Sequence, residues 1–400
     1  MKHQLTTPQA IQESIKRVLG PRVKQALEKF AFSVQRREQT NAFLSSFLVI
    51  DKPGGQLALP TVTDLVDAHK VLFHPKEAQY SPTYVWLYEQ PGQKIAQLPC
   101  GSIRIKNTIL SADIDHDFYR RFIERRFRQT REVETLIAPW SHYFHEVRPR
   151  NPEYGGIRYR GYFDYIITIA AKLCRIKDAV GDAVFAESVV AYPLLDTAYE
   201  HDILALLGFK NEQIINSRYT SVNSKRCVMG NTDNIVYPSS LDIMALKKHI
   251  QGRVSIGATK QSRIYISRQG GRRIVNEDEL IQMLQQFGFV TIEDKPRSIV
   301  EQVSIYANAS FIIGPHGASF TNVIWCQPGT HLVELFSANY VPDYFLYLCT
   351  LLGLRYSAYC QGTDVKEDRR AILEDVLVSI PDLERRLRIL LEAKTELTNS

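Results

Sequence analysis

Apolar runs alternate with amphipathic stretches throughout the second half of the chain. SRIYISR at residues 262–268 is predicted as a strand, and the next helix is predicted to begin at the N-cap Asn276 and to end at Gly288. GFVTIED is the following predicted strand, and a helix over residues 298–308 precedes the apolar strand FIIG. Strands that alternate with helices in this way are typical of a parallel α/β sheet.

The first half predicts a different order of elements. Residues 1–50 are predicted as an amphipathic helix and a loop, and residues 51–115 as short strands interrupted by Pro and Gly. HDFYRRFIERRFRQTREV at residues 116–133 has apolar side chains at helical spacing, which predicts a basic helix with a solvated arginine face. Contact of that face with an anionic membrane or a charged polysaccharide is the alternative interpretation.

An alternation of strands and helices begins at about residue 155. AVFAESVVAYPLL predicts a buried strand and a loop, and residues 196–207 predict a helix. The pattern indicates two α/β halves that join near residues 245–260. The last segment, around residues 366–396, predicts one or two helices interrupted at Pro381.

Composition and charge fit an ordinary globular protein that binds anions. A length of 400 residues is enough for two domains or one large α/β unit. The composition, 44% hydrophobic and 23% charged, can supply a large core. The formal net charge of +6 suits anionic ligands or an anionic surface. It is too small, without a stripe of basic and aromatic residues, to indicate nucleic-acid binding.

The compartment is predicted from three further features. None of the six cysteines forms a CxxC pair, so the sequence indicates neither a zinc site nor a disulfide framework. The first twenty residues lack the continuous apolar core of a signal peptide, and no apolar run is long enough for a transmembrane segment. We therefore expect a cytoplasmic protein, with peripheral membrane contact as an alternative.

The segment from Phe311 to Phe336, FIIGPHGASFTNVIWCQPGTHLVELF, carries the most specific chemical signal. An apolar strand runs into the turn Gly314–Gly317, and small and polar residues that predict a helix start follow it. Free amides at the start of a helix attract phosphate. The segment therefore predicts a diphosphate cradle, which we define as residues 314–318. Glu334 on the next strand supplies a carboxylate for a ribose or sugar hydroxyl, with a buried, paired carboxylate as the alternative.

Arginines upstream strengthen this interpretation. Arg268 stands at the carboxyl end of a predicted strand, where open α/β sheets bind their ligands, and its planar guanidinium suits a diphosphate. Arg272 and Arg273 follow the Gly270-Gly271 pair and are predicted as a solvated basic hairpin.

These residues resemble a known family. ISRxxxxRxVNEDEL, followed by EQVxxxxxAxxIIGPHGAxxTNxxxxxPGTxxVEL, is similar to the C-terminal half of glycosyltransferase family 61 over residues 262–337. A weaker similarity, to bacterial capsule-type members, runs from about residue 80 to residue 250.

The resemblance implies a GT-B fold, in which two Rossmann-like α/β domains face each other across a cleft. The implied division is residues 1–115 as an N-terminal helix and β-rich leader, 116–250 as the acceptor domain, 251–365 as the nucleotide-sugar domain and 366–400 as C-terminal helices. Packing of these helices back on the acceptor domain is one expectation. It also implies an inverting reaction without a cofactor or a required metal. The donor-binding residues that it implies are Arg268, Gly314, Pro315, His316, Gly317, Ala318, Thr321, Asn322 and Glu334.

The chain departs from the family pattern in its first half. Most members have an Asn-Tyr-x-His-Trp motif at the start of a helix, and the corresponding stretch here is RGYFDYIITIAAKL. Asp164 stands in place of the histidine and Tyr165 in place of the tryptophan. Asp164 is predicted either as a substitute catalytic base or as a helix N-cap. Tyr162, Phe163 and Tyr165 are predicted to contact the acceptor sugar, with core packing as the alternative.

The sequence thus predicts a glycosyltransferase that moves a sugar, most simply from a UDP donor, to a glycan or lipid-linked glycan during surface polysaccharide synthesis. Two alternatives stay open. A nucleotide-sugar epimerase would use the same fold without an acceptor site. A non-catalytic module of a polysaccharide assembly complex would bind a nucleotide sugar or glycan, and the departure at Asp164 and Tyr165 favours it.

Overall fold

The computed structural model describes residues 33–99, 101–110, 129–139, 161–232, 234–257, 261–362, 365 and 371–398, with side chains to residue 392. Residues 1–32, and the part of the predicted basic helix before residue 129, lie outside these ranges. The described chain is a mixed α/β protein with a ten-stranded sheet, a five-stranded sheet and two short hairpin sheets.

The N-terminal segment forms short strands, as its broken apolar runs predict. The elements are β1 Ser33–Gln35, α1 Arg37–Leu44, β2 Leu48–Lys52, β3 Gly55–Leu59, β4 Val62–Thr63, β5 Val71–Phe73, β6 Lys76–Tyr80, β7 Thr83–Glu89, β8 Ile95–Gln97, β9 Ile103–Ile105 and β10 Thr108–Leu110. Strands β3 to β6 form the two hairpin sheets, and the other strands join the ten-stranded sheet. Asp64, after β4, accepts a hydrogen bond from the amide of Cys360 at 2.7 Å, which ties this segment to the second half of the chain.

The ten-stranded sheet contains a parallel α/β core. Its strands are β11 Gln129–Ala138, β12 Val189–Tyr192, β13 Ile214–Asn216 and β14 Thr220–Gly230, in the spatial order β14-β11-β12-β13. The helices of this half are α2 Tyr162–Tyr165, a π-helical segment Ile166–Ala170, α3 Ala171–Glu187, α4 Ala198–Leu207 and α5 Ser240–His249. Antiparallel strands β7 and β8 extend the sheet from β14.

Two sequence-based predictions in this half are wrong. Residues 129–133 belong to strand β11 rather than to a basic helix, because they pair in parallel register with β14 and lead into the buried residues 135–138. The run AVFA is the end of helix α3 rather than a strand. Only Phe185 within that run is buried, as helical spacing requires, and the fully buried strand starts at Val189.

The five-stranded sheet is entirely parallel. Its strands are β15 Ser262–Ile266, β16 Phe289–Ile292, β17 Ala309–Pro315, β18 His331–Phe336 and β19 Arg355–Cys360, in the order β16-β15-β17-β18-β19. Its helices are α6 Glu277–Gln286, α7 Ile299–Ala307, a 3₁₀ helix Ala318–Trp325, α8 Tyr344–Leu352 and α9 Ile380–Thr398. The capping box of Ser298 and Glu301 starts α7, at the boundary predicted from sequence.

The C-terminal helix corrects another prediction. Pro381 is the second residue of α9 and does not interrupt it. A proline fits in the first turn of a helix because the amide it lacks would have no partner there. Within the described ranges, no helix combines the length and the apolar character that crossing a membrane requires.

The two α/β halves are in direct contact. One buried cluster includes Ile137 and Val190 from the first half together with Ile264 and Ile312 from the second. Polar contacts cross the same boundary. The Ile299 amide donates to Oδ2 of Asp202 at 3.0 Å, and Lys247 Nζ donates to the carbonyls of Ile324 and Cys326 at 2.7 and 3.0 Å. A cleft beside this boundary has walls from both halves.

Candidate functional site

A cleft of about 380 Å³ opens at the carboxyl ends of β15, β16 and β17. Its second-half wall includes Arg268, the loop Glu293–Arg297, Gln302 and the start of the 3₁₀ helix, and its first-half wall includes Tyr162 and Tyr199. Counted along the chain, the five strands lie in the order 2-1-3-4-5. The order reverses between β15 and β17, which is where doubly wound sheets bind their ligands.

Glycine residues allow the close packing of the cradle. A Cβ at Gly314 would lie 2.7 Å from the carbonyl oxygen of Ile266, so the backbones of β17 and β15 approach too closely for a side chain. A Cβ at Gly317 would collide with Nη1 of Arg268. The Arg268 Nε also donates to the carbonyl of Gly271 at 2.6 Å. The guanidinium is therefore held against the turn before any ligand arrives.

Burial lowers the pKa of Arg268 from its ordinary value, and the nearby carboxylate of Asp294 opposes the change. The guanidinium stays charged at neutral pH because its ordinary pKa is above 12. A charged, partly desolvated guanidinium at the mouth of a cleft is well suited to bind phosphate.

The helix after the cradle is a 3₁₀ helix, and the side chains of Thr321 and Asn322 within it have hydrogen-bond partners in the protein. Thr321 is buried, and its Oγ1 donates to the carbonyl of Ala318 at 2.6 Å. Asn322 borders the cleft, but its amide group is already saturated. Its Oδ1 accepts from the Tyr162 hydroxyl at 2.7 Å and from Trp325 Nε1 at 2.9 Å, and its Nδ2 donates to Gln302 and Ser319. Thr321 stabilises the backbone at the start of the 3₁₀ helix, and Asn322 links the two halves through Tyr162. The donor contacts of both residues stay predictions.

Glu334 does not reach the ligand cleft, so its predicted contact with a ribose or sugar is wrong. Its side chain is fully buried between β17 and β19, and the alternative of a paired carboxylate is confirmed. Oε1 lies 2.5 Å from Nδ1 of His316, and Oε2 accepts from the Tyr356 hydroxyl at 2.7 Å. Burial raises the pKa of Glu334 to about 8. Burial, together with the charges of Arg272 and Arg268, lowers the pKa of His316 well below its ordinary value.

Arg272 belongs to the same cluster, contrary to the prediction of a solvated side chain. Its backbone has φ of 66°, and its guanidinium lies over the Tyr340 ring, 5.4 Å from the centroid. Burial and the neighbouring Arg268 lower its pKa to about 10. Arg273 does point to solvent, where it pairs with Asp375 at 2.8 Å. Arg272 turns inward and Arg273 outward because the Arg272 guanidinium stacks on Tyr340, a residue that is distant in sequence.

Asp164 lies at the start of α2. Gly161 is the N-cap residue, and Asp164 occupies the third helical position, where its Oδ2 accepts the Gly161 amide at 3.0 Å. The predicted N-cap position was therefore wrong by three residues, although the carboxylate does cap the helix. Burial raises the pKa of Asp164, which suits a proton acceptor, but the side chain lies outside the lining of the cleft.

The three aromatic residues predicted to contact an acceptor have different environments. Tyr162 borders the cleft, and Phe163 stacks on Tyr344 with 5.9 Å between ring centroids. Tyr165 is completely buried, with its hydroxyl 3.4 Å from that of Tyr192. Tyr165 therefore packs in the core, and its predicted acceptor contact is wrong. Tyr162 and Asp164, at the start of the helix, are half-buried.

Sequence reasoning missed the loop Glu293–Arg297, which forms the far wall of the cleft. Asp294 in this loop accepts a hydrogen bond from the amide of Gln269 at 2.8 Å, so it ties together the loops after β15 and β16. Asp294 is the last residue of the predicted strand GFVTIED, and that position was a usable signal because ligands bind at the carboxyl edge of such a sheet. Within the described residues, no group of three or more His, Cys, Asp and Glu side chains is arranged to hold a metal ion.

Comparisons with known proteins agree with this geometry. Residues 140–333 match the family model of Glycosyltransferase 61, which extends from the first half of the chain through the cradle to β18. The chain is 29% identical to the xylan glycosyltransferase MUCI21 of Arabidopsis thaliana over 99 residues, which are 23% of this chain and 20% of that protein. It is 30% identical to the protein O-linked-mannose beta-1,4-N-acetylglucosaminyltransferase 2 of Xenopus tropicalis over 138 residues, 32% of this chain and 24% of the relative.

A third relative is the EGF domain-specific O-linked N-acetylglucosamine transferase of Xenopus laevis, at 31% identity over 99 residues, 24% of this chain and 19% of the relative. The matched part thus spans about a quarter or less of each of these proteins. The family match includes Tyr162, Arg268 and the whole cradle, so the residues around the cleft are those on which the assignment rests. Residues 140–333, just under half of the chain, are thus similar to the Glycosyltransferase 61 family.

Proposed function

We propose that this protein is a glycosyltransferase that moves a sugar from a nucleotide donor to a glycan acceptor. The observation that carries the proposal is the cleft at the strand switch point, where Arg268 is held against the backbone of Gly317. The family match and the names of the three relatives, all transferases of sugars, support the same activity.

The proposed architecture is of the GT-B type, with one α/β half for the donor and one for the acceptor. The five-stranded parallel sheet would hold the donor, because the cradle and Arg268 belong to it. The first half would present the acceptor beside Tyr162 and Phe163. The hydrogen bond between Tyr162 and Asn322 supports this arrangement, because it joins the proposed acceptor wall to the cradle helix.

The proposed reaction is a single displacement with inversion. An acceptor hydroxyl attacks the anomeric carbon, its proton passes to a base, and the bond to the nucleoside diphosphate breaks with its electrons going to the diphosphate. Arg268 and the amides at the start of the 3₁₀ helix would offset the charge that builds on the leaving group, without a requirement for a metal. Asp164 is the proposed base, since burial favours a carboxylate that readily takes up a proton.

The donor and the acceptor are proposed by class. UDP is the proposed nucleotide, and a glycan or lipid-linked glycan is the proposed acceptor. The relatives named for xylan and for O-linked mannose support acceptors that are glycans. A bacterial surface-polysaccharide context, a cytoplasmic location and peripheral contact with a membrane stay predictions from sequence.

The test is release of nucleoside diphosphate from a panel of UDP-, GDP- and ADP-sugars, with and without oligosaccharide acceptors, in the presence and absence of EDTA. We expect release that requires an acceptor and is insensitive to EDTA. Arg268→Ala should weaken donor binding strongly. Arg273→Ala is the matched control, because it removes a neighbouring arginine that faces solvent.

The alternatives give different results in the same assay. Binding of a nucleotide sugar without turnover under any acceptor would favour a non-catalytic module, as the capping role of Asp164 would allow. Conversion of the sugar without any acceptor would favour an epimerase. Turnover that stops with EDTA and returns with a divalent cation would contradict metal independence.

A further inference from the structure

His316 belongs to the cradle and Glu334 lies behind it, and the proposed donor contacts leave the contact between these two side chains unexplained. Glu334 is fully buried in the middle of the parallel sheet, whereas the His316 side chain keeps 6% of its surface exposed. Nδ1 of His316 is bonded to Glu334 at 2.5 Å, and Nε2 of the same ring has no hydrogen-bond partner among the described residues. Nε2 is not among the sealed polar atoms that lack a partner, so it lies on the small exposed part of the side chain, where a ligand atom can accept its hydrogen bond.

The protonation of the pair decides what Nε2 can do. When the pair lacks its extra proton, Nδ1–H donates to the ionised Glu334, and Nε2 offers only a lone pair. When the pair holds one more proton, shared between Glu334 and Nδ1, Nε2 carries a hydrogen and can donate. A phosphate oxygen accepts hydrogen bonds and never donates them when ionised, so only the second form can bind it.

The surroundings make this proton sensitive to a bound anion. Arg268 and Arg272 act on His316 electrostatically, and both disfavour a further positive charge on the ring. A diphosphate that neutralises these arginines would remove that opposition. The other titratable groups around the pair are Tyr356 on β19, Tyr340, Asp343 and Tyr344 before and at the start of α8, and Cys349 within α8.

We infer that binding of a nucleoside diphosphate is coupled to the protonation of the His316–Glu334 pair, so that Nε2–H donates to the diphosphate. The inference rests on the proposed function, since it gives a specific role to the donor-binding cradle. His316 becomes a residue that contacts the leaving group. Glu334 becomes a positioning residue that acts through His316 and holds the proton inside the sheet.

The pH range in which diphosphate affinity changes is set by the titration of the His316–Glu334 pair. Burial raises the pKa of Glu334 to about 8, so the free pair holds its proton below that pH and loses it above. With the diphosphate bound, the pair keeps its proton to a higher pH, because the diphosphate accepts a hydrogen bond only from the protonated form. Affinity should therefore be constant below about pH 8 and should fall by up to about tenfold per pH unit above it. The terminal phosphate of UDP, with a pKa of about 6, is already ionised in this range.

The experiment is calorimetric titration of the full chain with UDP in pairs of buffers that differ in ionisation enthalpy, which counts the protons taken up on binding. We expect about no uptake near pH 7, increasing toward about one proton near pH 9. E334Q should bind UDP without this uptake and with an affinity independent of pH. Asp375→Asn is the matched carboxylate-to-amide control outside the cleft and should behave as the unmodified protein.

A second variant keeps the test informative if E334Q does not fold. Tyr356→Phe removes the hydrogen bond that holds the pKa of Glu334 down, so the onset of proton uptake should move to higher pH. UDP binding without proton uptake, or the same uptake in E334Q, would overturn the inference and leave the proposed function intact. If neither UDP, GDP nor ADP binds the unmodified protein, the donor-binding function and the inference both fail.

Discussion

Replacing Gly317 with alanine isolates the contribution of Arg268 to donor binding with a single methyl group. Gly317 has φ of −178°, an extended conformation that alanine also adopts, so the backbone needs no change. The added Cβ would meet Nη1 of Arg268, the end of a flexible side chain, and the guanidinium would have to move away. We therefore expect a loss of function with little loss of stability.

The magnitude follows from the bond that the displacement removes. A hydrogen bond to a charged group contributes about 1.5–3 kcal/mol, so loss of one Arg268–phosphate contact should weaken UDP binding about 10- to 150-fold. The free energy of unfolding in urea should fall by about 1 kcal/mol or less, because the displaced, half-buried guanidinium gives up its hydrogen bond to Gly271 and regains water. Calorimetry with UDP and urea unfolding measure the two quantities.

Matched controls show whether the effect passes through Arg268. Gly252→Ala adds the same methyl group outside the cleft, where it would meet nothing within 4 Å, and should leave UDP binding unchanged. Arg268→Ala and the double variant with Gly317→Ala should bind UDP equally weakly, since the methyl group has nothing left to displace. Unchanged affinity in Gly317→Ala, or further loss of affinity in the double variant, would refute the packing argument.

Three further substitutions test other parts of the site. Gly314→Ala places a Cβ 2.7 Å from the backbone oxygen of Ile266, and overpacking of this kind should lower the free energy of unfolding by about 1–3 kcal/mol in a urea titration. Tyr162→Phe removes the hydroxyl that donates to Asn322 across the two halves, and should cost about 1 kcal/mol of stability without emptying the space. Asp164→Asn should retain UDP binding and lose turnover. In the unmodified protein the rate should increase with pH through the raised pKa of Asp164, because only the ionised carboxylate accepts a proton, and a rate with the same pH dependence in the variant would remove Asp164 as the base.

The local signals of the sequence were sufficient for most of the second half. Strands β15 to β18 are apolar runs bounded by helix caps and glycines, and the structure has them where the pattern predicts. Arg268 and Gly317 meet because one follows β15 and the other follows β17, and these are neighbouring strands of a parallel sheet. Such contacts follow from topology alone, so a motif and a fold class predict them.

The remaining errors concern contacts between residues that are distant in sequence. The pairing of β11 with β14 overrides the helical spacing of residues 129–133, and that pairing has no local signature. Arg272 turns inward because it stacks on Tyr340 from the segment after β18. Tyr165 is buried because helix α2 places it against Tyr192 and Tyr199. In each case the sequence showed the residue but not its partner.

Glu334 explains why a carboxylate near a predicted binding site need not bind the ligand. It pairs in register with Gly314 on one side and with Ala358 on the other, so it lies in the interior of the sheet. A ligand at the carboxyl edge does not reach its carboxylate, because His316 and Tyr356 occupy both oxygens and the side chain has no exposed surface. Any effect of Glu334 on a donor must therefore pass through His316, which belongs to the same turn that holds Arg268. One turn thus offers the diphosphate a permanent positive charge and a proton-dependent donor, and only the second depends on a residue behind the site.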